Sequence, residues 1–101
     1  MTQPVIEIPR ESIAQFCLKW KIRELALFGS VLSANFGPES DVDVLITFTE
    51  NAHWSLYDWI DMREELKTIF GREVDLASSR ALRNPYRRHE ILNSREIIYA
   101  A

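Results

Sequence analysis

The sequence predicts an α+β domain, α/β-like in places, in which a small mixed β-sheet is flanked by helices. Three observations carry that reading. Helical and strand-like periodicities alternate along the chain, the strand-like runs are short, and no repeat, low-complexity tract or linker interrupts them.

Residues 11–20, "ESIAQFCLKW", place Ile13, Phe16, Cys17 and Trp20 at helical spacing, with Pro9 just before them where a fixed φ suits a helix start. Residues 24–28, "ELALF", form an apolar run that stops at Gly29 and reads as a strand. Residues 42–48, "VDVLITF", alternate: Val42, Val44, Ile46 and Phe48 take one face, and Asp41, Asp43, Leu45 and Thr47 the other. Residues 54–70 read as a helix with Leu56, Trp59, Ile60, Arg63, Leu66, Ile69 and Phe70 near one face, closed by Gly71. Its polar side carries Asp58, Asp61, Glu64 and Glu65. Residues 73–77, "EVDLA", give a third strand with Val74 and Leu76 inward and Asp75 opposite. A short helix near 86–93 follows Pro85, and "EIIYA" ends the chain as a strand or a docked tail.

A length of 101 residues, 47% of them hydrophobic, suits one domain spanning residues 1–101. No apolar run is long enough for a membrane span, and the start lacks the basic-then-apolar order of a signal peptide. The lone Cys17 has no internal disulfide partner, so the expected compartment is the cytoplasm. The net charge of −3 is uneven: residues 1–71 hold 6 Lys/Arg against 11 Asp/Glu, and residues 72–101 hold 6 against 4. An acidic chain without a long basic stripe is a poor binder of duplex nucleic acid. The cluster Arg80, Arg83, Arg87 and Arg88 suits phosphate, an acidic protein partner or a solvated helix face.

Asp41 and Asp43 leave the same strand face about 7 Å apart at the backbone. Burying two such carboxylates unpaired costs several kcal/mol, so a compensating cation is expected. Magnesium prefers oxygen ligands and takes one or two carboxylates together with substrate phosphates. Asp75 supplies a third carboxylate if its strand is a neighbour, and three can hold two ions about 3.5 to 4 Å apart. Gly29 lets a phosphate approach the backbone, Ser30 offers a hydroxyl and an N–H, and "VLSAN" suits the start of a short helix. Neither Gly-Lys-Ser/Thr nor GxGxxG is present. A Gly-Ser turn or an Asp-x-Asp alone is commonplace; ten residues between them and a third strand aspartate make the set specific.

"FGSVLSANFGPESDVDVLITF" resembles the Gly-Ser-x10-Asp-x-Asp signature of the minimal nucleotidyltransferases (MNT), within the DNA polymerase beta-like nucleotidyltransferase superfamily. The resemblance extends from the opening helix through the third-aspartate strand and the tail. It implies a magnesium site of Asp41, Asp43 and Asp75, and a nucleotide site of Gly29, Ser30 and Ser40 that takes ATP. It also implies an antitoxin that transfers AMP to a tyrosine of a HEPN-family ribonuclease toxin, forming a hetero-oligomer with it. Asp75 is then placed to help take the acceptor's proton. Many relatives carry arginine where this chain has Ser33, a departure that bears on phosphate contacts rather than on the metal.

Two alternatives stand beside this reading: an antitoxin that neutralises its toxin by binding, and an adenylyltransferase of a small molecule or RNA. The three carboxylates favour catalysis over pure binding. Trp20, Trp54 and Trp59 read as core or interface aromatics, His53 and His89 as surface residues, and Cys17 as inert packing. Tyr86 and Tyr99 read as polar-tipped core residues.

Overall fold

The computed structural model describes residues 6–32, 37, 40–82 and 84–101. Helix α1 (Arg10–Lys19) leads into strand β1 (Ile22–Phe28), a 3-10 turn at Gly29–Leu32, and strand β2 (Val42–Phe48). Helix α2 (Leu56–Phe70), strand β3 (Val74–Ser78), a second 3-10 turn at Ser79–Ala81, helix α3 (Pro85–Ser94) and strand β4 (Glu96–Ala100) complete the order. The strands form one sheet in the order β3-β2-β1-β4. β2 and β3 are parallel, with α2 as the crossover that a parallel pair requires, and the other two pairings are antiparallel. The "EIIYA" tail is therefore a strand, paired with β1.

One face of the sheet packs against α1 and α2, burying Ile13, Phe16 and Cys17 with Val42, Val44 and Ile46. The other face is not simply polar. Ala26, Phe28 and Leu45 are buried there under Ile91 of α3. Leu45 shares the side of Asp43, and the C-terminal helix lies over that half of the face. No helix among the described residues is long and apolar enough to cross a membrane.

The buried face of α2 differs from the sequence expectation. Met62 and Leu66 are fully buried, with Trp59, Ile69 and Phe70 packed beside them, while Leu56 is 72% and Ile60 50% exposed. A face centred on Met62 and Leu66 leaves Leu56 and Ile60 rotated away from it, at about 100° per residue. Ser55 starts the helix with a reciprocal capping box to Asp58, and Gly71, at φ 68°, ends it in the left-handed region. At the other end of α1, the Trp54 indole N–H donates to the Trp20 carbonyl at 2.9 Å, and Trp20 donates to Glu65 at 2.6 Å. These tryptophans join α1 to α2.

Tyr86 is not a core residue: it is 86% exposed. It is the second residue of α3, of which Ile91 alone is buried. Asn84 caps that helix by accepting from the Tyr86 and Arg87 N–H groups, with Pro85 in its first turn.

Cys17 is buried, and loss of hydration pushes its thiol up to about 12 from 9.0. The native state thus holds the proton where the unfolded chain releases it. Stability from this group is intact below pH 9.0 and declines as pH rises from there toward about 12. Iodoacetamide at about pH 8 to 9, near the pKa of a free thiol, is expected to leave Cys17 unmodified until denaturant is added, a difference that mass spectrometry reads directly. Rapid labelling of native protein would contradict this burial.

Candidate active site

The end of β1 and the start of β2 build the centre of the site. Phe28 is the ladder partner of Asp43, so the next residue, Gly29, lies beside that aspartate. Gly29 has φ +74°, which disfavours any side chain. A β-carbon there would also collide with the Asp43 carboxylate, whose Cγ is 3.2 Å from the position it would take. Two separate constraints therefore require glycine, and the Gly-Ser turn and the Asp-x-Asp strand are in contact.

The parallel ladder brings in the third aspartate. Asp43 and Asp75 are Cα partners on β2 and β3, about 4.8 Å apart as adjacent strands are. Asp41 lies two residues before Asp43, and the Val42 N–H donates to Glu73 O at 2.9 Å, carrying the pairing to that end. Val42 and Val74, the alternate residues, are buried on the opposite face. A one-residue slip would put the carboxylates into the core and the valines into water, so burial pins the register. Asp43 is half-buried, and Asp41 and Asp75 are exposed.

Ser40 closes the turn before Asp41. Its hydroxyl accepts from the Gly37 N–H at 3.1 Å, and its N–H donates to the Gly37 carbonyl at 3.1 Å. The Arg72 guanidinium donates to the carbonyls of Gly37, at 2.8 Å, and Ser40, at 3.2 Å. Arg72 is thus a positioning residue that the sequence reading passed over; an arginine directly after a helix-ending glycine was its only signal. The Ser30 side chain, Ser33 and Arg83 lie outside the described residues.

The donor set is three carboxylates, which suits a hard cation such as magnesium. Among the described residues no three His, Cys, Asp or Glu side chains already converge as a ligand set. The backbone instead brings three like-charged groups to one strand end, where mutual repulsion opposes convergence without a cation.

A short mixed sheet with this Asp-x-Asp strand, its paired aspartate strand and an abutting glycine turn has the architecture of a minimal nucleotidyltransferase. The chain belongs to the nucleotidyltransferase domain family, which it matches over residues 10–98. A Methanocaldococcus jannaschii protein provisionally named a protein adenylyltransferase is 35% identical over 81 residues, covering 80% of this chain and 79% of its own. The protein adenylyltransferase MntA of Thermococcus cleftensis is 31% identical over 81 residues, covering 80% and 77%. A solved structure provisionally assigned as a minimal nucleotidyltransferase has a TM-score of 0.71 at 29% identity, covering 86% of each chain. The crystal structure of a toxin-antitoxin with AMP-PNP has a TM-score of 0.73 at 14% identity, covering 93% of this chain and 75% of that one, and shares the fold.

Gly29 and Gly71 make a matched pair for testing the close approach. Both have left-handed backbones, but a β-carbon at Gly71 meets nothing within 4 Å. Gly71→Ala is expected to cost about 1 kcal/mol in urea unfolding and to leave nucleotidyl transfer intact. Gly29→Ala is expected to cost about 2 to 4 kcal/mol, the backbone cost plus overpacking, and to suppress transfer by displacing Asp43. Equal losses in the two variants would contradict the contact.

Proposed function

We propose that this chain, acting as a single minimal nucleotidyltransferase domain in the cytoplasm, transfers AMP from ATP to a tyrosine of a HEPN-family toxin and so serves as its antitoxin. The observation that carries the proposal is the contact between Gly29 and Asp43, with Asp75 in register beside them. Support for the acceptor class comes from two relatives named protein adenylyltransferases. Support for the partner comes from the fold shared with a solved complex of a tri-AMPylated Shewanella oneidensis HEPN toxin with an MNT antitoxin, at a TM-score of 0.64 and 15% identity.

Asp41, Asp43 and Asp75 would hold magnesium, which neutralises phosphate charge and lowers the acceptor's pKa when bound. The backbone at Gly29 and Ser30 receives the triphosphate, and the missing β-carbon of Gly29 lets the Asp43 carboxylate close against the same turn. Ser40 holds the loop that delivers Asp41. The acceptor hydroxyl attacks the α-phosphorus, forming a new P–O bond as the bond to pyrophosphate breaks. Asp75 takes the hydroxyl proton, a general-base role that its exposed position permits.

ATP labelled at the α-phosphate, supplied with magnesium and the cognate HEPN protein, is expected to label that protein. Asp41→Asn with Asp43→Asn should lower labelling by about a hundredfold or more with an unchanged circular dichroism spectrum. Chelation should have the same effect, reversed by added magnesium. Equal labelling by the double variant would sink the catalytic assignment. A wild type that labels nothing, yet suppresses the ribonuclease as a stable complex, would establish the binding-only alternative.

A further inference from the structure

The far ends of β2 and β3 carry a second feature, about 17 Å along the strand from Asp43 to Phe48 at the usual rise per residue. A cavity of about 430 Å³ opens there, walled by Phe48, Trp54 and Trp59, with His53 and Arg80 exposed at its rim. Among the described residues no Asp or Glu lines it. Among the described residues the Arg80 guanidinium has no ion-pair partner.

The cavity continues onto α2. Leu56, at its edge, is 72% exposed, and Tyr57 and Ile60 are 80% and 50% exposed. Beyond them Asp61 and Glu64 are exposed on the same helix. The surface is therefore an apolar strip with a cation at one end and carboxylates at the other. Adjoining exposed apolar side chains mark interaction sites, and Trp, Tyr and Arg dominate the energetics of such sites. The row Leu56, Ile60 and Glu64 is an i, i+4 ridge of the kind into which a second helix packs.

We propose that this strip docks an amphipathic helix of the protein that the chain modifies. Its apolar face covers Leu56, Tyr57 and Ile60, an anchor side chain enters the cavity between Trp54 and Trp59, and a carboxylate pairs with Arg80. Basic residues at its other end meet Asp61 and Glu64. Docking at the far ends of the strands leaves the aspartate end open for ATP and the acceptor. The proposal rests on the HEPN protein's being the partner.

Calorimetric titration of the cognate HEPN protein into the full chain tests it. Leu56→Asp and Arg80→Glu are each expected to weaken binding about tenfold or more, with thermal midpoints unchanged. Leu18→Asp, at a residue 73% exposed on α1, should change binding by less than about twofold. Asp41→Asn with Asp43→Asn should bind as wild type does. Wild-type affinity in both strip variants would overturn the proposal, as would loss of binding only in the Leu18 variant, no binding by the wild type, or self-association that the strip variants abolish. AMP transfer that ignores the strip variants removes this docking surface and leaves the proposed activity standing. Strip-dependent binding without AMP transfer does the reverse.

Discussion

The contact between the Gly29 backbone and the Asp43 carboxylate is the constraint on which the rest of the site depends. It follows from the antiparallel register that pairs Phe28 with Asp43. That register is held from the opposite face, where the alternate residues of β2 are buried among α1 and α2. Hydrophobic burial on one side thus sets polar chemistry on the other. The parallel pairing of β2 with β3 extends the same logic to Asp75, which is remote in sequence and is brought alongside Asp43 by the crossover through α2.

The sheet face that bears the carboxylates is divided along its length. Leu45, Ala26 and Phe28 are covered by α3, while the strand ends with Asp41, Asp43 and Asp75 extend beyond that apolar cover. Arg72 secures the approach to Asp41 by holding two loop carbonyls. It follows directly after Gly71, so the end of α2 both begins the return to β3 and fixes the loop before β2. The two ends of the same strands differ in chemistry: carboxylates gather at one end of β2 and β3, and aromatic side chains at the other.

Much of this was legible in the sequence because its signals were local. Alternation in "VDVLITF" assigned Val42 and Val44 to the core and Asp43 to the other face, and the closing Gly71 marked the end of α2. Asp75 could be assigned to a strand, but its partner could not, since strand order depends on the crossover rather than on any local pattern. The face of α2 was misread at Leu56 and Ile60 because several apolar residues outside the buried stripe blurred its centre. Tyr86 was misplaced because aromatic character argues for burial, whereas helix position left it exposed. The role of Arg72 is scarcely legible in the sequence, since its partners are backbone carbonyls, which any residue carries.

The most direct test of convergence is paramagnetic broadening of backbone amide signals by manganese with a non-hydrolysable ATP analogue. Manganese accepts the same oxygen ligands as magnesium and broadens nearby resonances. The account predicts selective broadening at Gly29, Ser30, Asp41, Asp43 and Asp75, lost in the Asp41→Asn and Asp43→Asn double variant. Broadening centred instead on His53, Trp54 and Arg80, or unchanged in that variant, would contradict it.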